Sequence, residues 1–124
     1  VGVTPSDVVD EQIAAYAAGD IERFVALYAS DAACYELPSL KPIAEGRDQI
    51  RKVWSAVFAK GPRSVRILNR ITTGEMVIDQ ERITGPEQVV EAVAIYGVRG
   101  PLIERVWFPT PVSVRPIAAS APRG

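Results

Sequence analysis

The chain contains no histidine and a single cysteine, Cys34, and these two scarcities exclude whole classes of chemistry. Without histidine there is no imidazole base, no Ser-His-Asp or Cys-His nucleophile pair and no histidine metal site. With one thiol there is no intrachain disulfide and no thiolate zinc site, a cysteine usage that fits a reducing compartment. Cys34, in the string Ala32-Ala33-Cys34-Tyr35, reads as a small core hydrophobe. Acid–base work is left to Asp, Glu, Tyr, Lys and Arg, and neither a metal nor an organic cofactor is expected. Charge of one sign is also lacking: 14 Lys and Arg stand against 15 Asp and Glu, a net charge of −1. Neither nucleic acid nor an anionic membrane is an expected partner. The longest mostly apolar stretch, Val89 to Val98, is broken by Glu91 and is too short to span a bilayer. The first residues show no basic n-region followed by an apolar h-region, so the chain reads as cytoplasmic or as already processed.

What is present is a chain of 124 residues, 48% apolar, enough for one domain that buries roughly two-thirds of its unfolded surface. Thr4-Pro5-Ser6-Asp7 offers an N-cap threonine, a proline at the first helical position and an acid at the third. Val9, Ile13, Tyr16 and Ala17 then repeat on one face. Gly19-Asp20 stops this helix and caps a second, in which Ile21, Phe24, Val25 and Tyr28 keep the i, i+3, i+4, i+7 spacing. A strand is expected over 31–37 and a loop at Pro38-Ser39-Leu40-Lys41-Pro42, where two prolines deny ladder donors. Gly46 then precedes a third helix carrying Ile50, Val53, Trp54, Val57 and Phe58, ended by Gly61-Pro62. Strands follow near 64–72, 76–84, 89–98 and 102–108, separated by Thr73-Gly74-Glu75, Gly85-Pro86-Glu87-Gln88 and Arg99-Gly100-Pro101 as turns. The order is α+β, helices first and an antiparallel meander after. Residues 1–109 form the expected domain, and 110–124, with Pro111, Pro116 and Pro122, read as a mobile or partner-docked tail.

This order, together with Ala18-Gly19-Asp20-Ile21-Glu22, Leu27-Tyr28-Ala29-Ser30-Asp31-Ala32 and Glu45-Gly46-Arg47-Asp48-Gln49-Ile50, resembles the nuclear-transport-factor-2-like superfamily over roughly residues 7 to 108. The SnoaL-like polyketide cyclase, ketosteroid isomerase and limonene-epoxide hydrolase branches are the most similar. The resemblance implies a cystatin-like cone, a curved, mainly antiparallel sheet wrapped around the first and third helices. Its mouth would hold a small apolar molecule, and the protein would be a homodimer joined through the outer sheet face.

Carrying the isomerase pattern across places Glu36 at the position of the proton-shuttling carboxylate, a role that an apolar setting favours by raising proton affinity. The family's oxyanion tyrosines fall on Gln12 and Trp54, and its second oxyanion carboxyl on Ala92. Tyr16, one turn beyond Gln12, is a substitute donor. The epoxide hydrolase pattern matches Tyr35-Glu36-Leu37-Pro38 and Glu81-Arg82-Ile83, with Arg82 as that family's bridging arginine, but Thr84 and Val106 stand where its aspartates belong. The candidate catalytic set is therefore Glu36, Tyr16 and Arg82. The candidate lining is Gln12, Trp54, Phe58, Ala92, Tyr96 and Trp107. Arg82 alternates with Gln80 and Ile78 on one strand face while Asp79 and Glu81 occupy the other, so one charged set must face inward. An Arg82–Glu36 pairing reads equally as a structural ion pair or as a catalytic dyad. The expected activity is isomerase- or cyclase-like chemistry on a small hydrophobic carbonyl compound. The alternatives are a non-catalytic carrier or dimerisation module and an epoxide-hydrolase-like enzyme with a degenerate triad.

Overall fold

The computed structural model describes residues 3–117. Helix α1 (Pro5–Ala18) begins with the capping box that its sequence signals. Thr4 Oγ1 accepts from the Asp7 amide at 3.1 Å and the Asp7 carboxylate accepts from the Thr4 amide at 3.0 Å. Gly19, at φ +67°, ends the helix in the left-handed region that glycine enters without steric cost. Asp20 caps the short α2 (Ile21–Ala26). Strands β1 (Tyr28–Leu37) and β2 (Pro42–Glu45) follow, then α3 (Arg47–Phe58). The remaining strands are β3 (Ser64–Thr73), β4 (Met76–Thr84), β5 (Gln88–Arg99), β6 (Leu102–Pro109) and β7 (Ser113–Pro116).

The sheet is curved and unclosed, with strand order β2-β1-β6-β5-β4-β3 and β7 added alongside β5. The meander β3–β6 is antiparallel, as the turn spacing requires, but β1 joins β6 in parallel. Helix α1 lies across β3 to β6, and α3 packs on β1 and β2. Three sequence expectations are corrected. Tyr28, expected on the second helix, instead opens β1, because α2 ends at Ala26. The prolines of 38–42 bound a loop only at its start, because Pro42–Glu45 pairs with β1 as an edge strand where the missing proline donor costs nothing. The tail beyond Pro109 is not free throughout: Ser113–Pro116 returns to pair with Gln88–Glu91, and the rest of the expected tail, 118–124, lies outside the described residues.

Between the helices and the sheet, Phe24 is fully buried. Its ring centroid lies 5.2 Å from Tyr28, 5.5 Å from Phe58, 5.7 Å from Trp54 and 6.3 Å from Tyr16. One short helix thereby ties α1, α3 and β1 together through aromatic contacts worth about 0.5–1.5 kcal/mol each beyond area burial. Cys34 is buried in the same core, and burial pushes its thiol up to about 12, so it behaves as a hydrophobe. Phe24→Ala is expected to cost about 3–5 kcal/mol of stability, read as a lowered urea midpoint at unchanged m-value. A loss under about 1 kcal/mol would contradict this packing.

Candidate functional site

The concave face of the sheet carries the charge whose direction the sequence leaves open. On β4 it is Val77, Asp79 and Glu81 that point inward and are buried, while Ile78, Gln80 and Arg82 lie on the convex side. Two carboxylates thus enter an apolar interior, and they are treated differently. Asp79, fully buried, receives a two-pronged contact from Arg70: Nε to Oδ1 at 2.6 Å and Nη2 to Oδ2 at 2.9 Å. Arg70 also donates Nη1 to Asp10 on α1 at 2.8 Å, so one guanidinium locks helix to sheet. Arg70 reaches the inside because of a bulge. Ile67 pairs with Glu81 and Asn69 with Gln80, which leaves Leu68 unmatched and moves Arg70 to the same face as Val65 and Ile67.

Glu81 has no such partner. No side-chain hydrogen bond or salt bridge reaches its carboxyl among the described residues, and it lines a small cavity of ≈80 Å³ with Gln12, Tyr16, Trp54, Tyr96 and Phe108. Burial raises its pKa from 4.5 to about 7, the neighbouring Asp79 charge adds to the rise, and Arg70 opposes it. At neutral pH the group is therefore poised between carboxylic acid and carboxylate.

Gln12 is 6% exposed and donates Nε2 to the Tyr28 hydroxyl at 3.1 Å. Its Oε1 is buried with no hydrogen-bond partner, so Gln12 presents an acceptor to the cavity and not the donor that would polarise a carbonyl. The donor is Tyr16, one turn further along α1. Burial raises its pKa, the Arg63 charge lowers it and Glu81 raises it, so it stays a neutral phenol that can give a hydrogen bond. Tyr16 and Ile83 also line a groove of ≈560 Å³ immediately outside the cavity, together with Lys60, Arg63 and Glu87.

Of the residues singled out by sequence, Gln12, Tyr16, Trp54 and Tyr96 meet at this cavity. Phe58 packs behind it, with its ring centroid 5.6 Å from Tyr16. The other four lie elsewhere. Glu36 is exposed at the end of β1, accepts from Ser39 Oγ at 3.1 Å and lines a separate surface depression of ≈340 Å³, shared with Ala92 and Phe108. The carboxyl inside the cone is Glu81 and not Glu36, because β1 runs past the helical cover before reaching residue 36. Arg82 faces the convex side, 3.9 Å from Glu91, and forms no pair with Glu36. Trp107 also faces outward. Val106 and Phe108 take the inward positions of β6, and Trp107 packs over Gly97, where an added Cβ would lie 3.6 Å from its ring. Ala92 lies across from Glu81 in the β4–β5 register but borders the depression and not the cavity. Val65, Glu81, Ile83 and Phe108 are the lining residues that the sequence reading missed. The alternation of Asp79 and Glu81 against Gln80 and Arg82 was the available signal for Glu81.

Glu81 has a consequence for stability. The folded state holds this proton up to about pH 7, whereas the unfolded chain releases it near 4.5, so its contribution is complete below pH 4.5 and is lost as pH rises through 7. Between about pH 4.5 and 8 the wild-type protein should lose up to about 3 kcal/mol that Glu81→Gln keeps, measured by urea unfolding at each pH. Parallel pH profiles for the two proteins would show that Glu81 is not held in an apolar site.

The family model described as "SnoaL-like domain" matches residues 9–106. No curated protein matches the chain. Among solved structures, an uncharacterized cystatin-fold protein from Novosphingobium aromaticivorans is 25% identical, with a TM-score of 0.78 over 86% of this chain and 98% of its own. A protein assigned as a polyketide cyclase from Sinorhizobium meliloti is 17% identical, with a TM-score of 0.71 over 82% and 93% of the two chains. A hypothetical protein with a ketosteroid isomerase-like fold from Catenulispora acidiphila, solved with trimethylamine, is 20% identical, with a TM-score of 0.73 over 89% and 88%. A curved sheet packed with helices on its concave face and a family match over most of its length place this chain in the SnoaL-like family of the nuclear-transport-factor-2-like superfamily.

Proposed function

We propose that the protein is a proton-transfer enzyme acting on a small carbonyl compound, with Glu81 as the general acid–base. The observation that carries this reading is the unpaired, buried Glu81 carboxyl, lining a small aromatic cavity with a pKa of about 7. A group half-ionised at neutral pH takes a proton from the carbon beside a carbonyl and returns it with little loss of driving force in either direction. The Tyr16 hydroxyl donates to the oxygen as negative charge develops there, while Glu81 holds the abstracted proton until it returns to carbon. The cavity of ≈80 Å³ admits only a head group, so the body of the ligand lies in the groove beyond Tyr16 and Ile83.

Cyclohexanone in deuterium oxide tests this reading, because α-proton exchange is visible by NMR without knowledge of the natural substrate. The wild-type protein should accelerate exchange, with a rate that rises with pH through about 7 as Glu81 ionises. Glu81→Gln should lower the rate by about 10²–10⁴-fold, while Glu36→Gln should leave it unchanged. Saturable binding without exchange would identify a carrier instead.

The partner proposed for the convex face is a second copy of the chain. Ile78, Ile95, Trp107 and Tyr35 stand in register across β4, β5, β6 and β1, each only partly buried, and form an apolar row that one chain leaves uncovered. Sedimentation equilibrium should give twice the chain mass, and Trp107→Lys should halve it. A concentration-independent monomer would remove the dimer.

A further inference from the structure

The groove outside the cavity carries two cations without a carboxylate partner. Arg63 is partly buried and donates Nη1 to two main-chain carbonyls at the end of α3, Val57 at 2.7 Å and Gly61 at 3.0 Å. Its stem runs beside the turn after β4, where a Cβ added to Gly85 would lie 3.8 Å from both its Cγ and its Nε. Both hydrogen bonds leave from Nη1, and Nη2 makes none among the described residues. Lys60, just after the end of α3, lines the same groove. Neither residue forms a salt bridge among the described residues, and the carboxylate that lines the groove beside them, Glu87, pairs with neither. Two cations face one anion at the mouth, whereas the interior carries two carboxylates and one arginine.

We propose that this groove is an anion subsite, and that the ligand whose head group enters the cavity carries a carboxylate at its other end, which makes it a small apolar keto acid. For the head group this rests on the proton-transfer reading; for the anion it rests on Arg63 and Lys60 alone. An arginine fixed by backbone carbonyls loses little side-chain freedom on meeting a carboxylate, and its free N–H groups match carboxylate geometry. Tyr16 and Ile83 line both spaces and set the path between them, so the carboxylate stays outside while the ketone faces Glu81.

NMR titration with an oxocyclohexanecarboxylate and with its methyl ester tests the subsite at equal shape and different charge. The acid should bind about tenfold more tightly than the ester at low salt, and added salt should weaken the acid alone. Lys60→Gln and Arg63→Gln should each reduce the preference and leave the ester affinity in place. Lys60 is exposed and only its backbone amide, which a substitution keeps, bonds within the fold, so its variant keeps the test independent of folding. The preference should persist in Glu81→Gln, which separates the two ideas. Acid preference without α-proton exchange in the wild type would remove the proton-transfer reading and leave the subsite standing. Equal affinity for acid and ester, no saturable binding of the acid, or a preference that survives both substitutions would overturn the subsite.

Discussion

The ion pair between Arg70 and Asp79 is the constraint on which the interior depends. Asp79 is fully buried, and a buried carboxylate without a counter-charge costs several kcal/mol. Arg70 meets both of its oxygens and reaches Asp10 as well, so the pair fixes α1 over the sheet as it neutralises the core. Removing either partner leaves a bare charge behind, a loss of about 3–5 kcal/mol for pairs of this kind. The pair also uses up the one arginine that β3 turns inward. Glu81, two residues along the same face of β4, is left in the aromatic interior with Asp79 as a neighbour and only the distant part of Arg70's field to offset it. Its raised proton affinity follows first from burial, then from the Asp79 charge, with Arg70 opposing both.

The bulge at Leu68 is what makes this division possible. Strand residues alternate faces with period two, so Arg66 and Arg70 would share a face if β3 were regular. One unmatched residue shifts the phase between Ile67 and Asn69 and sends Arg70 to Asp79, while Arg66 stays exposed. The convex side then closes its own polar contacts: Asn69 donates to Gln80, Gln80 to Glu91, and Arg82 lies near Glu91. Charge is thereby sorted across the sheet, with a satisfied ladder outside and an incomplete set within.

Helix α1 supplies the rest of the cavity's polar groups through its own geometry. Gln12 and Tyr16 are one turn apart and face the same way, so a capped, correctly placed helix delivers an acceptor and a donor to one space. Phe24 of α2 sits behind them and holds the rings of Tyr16, Trp54 and Phe58 in contact. The polar groups are consequently carried on rigid elements and not on loops, which suits a site that must hold a proton donor and acceptor in fixed relation.

The sequence alone determined the local features: the Thr4 cap, the Gly19 stop, the amphipathic third helix and five of the strands, because each is written in neighbouring residues whose spacing carries the signal. The family strings extended that to the cone. Three things were decided only by tertiary structure. The β7 pairing and the parallel β1–β6 contact join segments far apart in the chain and leave no periodic trace. The inward arginine depends on a one-residue phase shift in β3 that its composition does not mark. The identity of the buried carboxyl turned on which face of β4 meets the helices and on how far along β1 their cover extends. Alternation assigns Glu81 and Arg82 to opposite faces but does not say which is inside. That choice is made when the helices dock, because an aspartate can be buried beside Glu81 only where Arg70 is present to meet it.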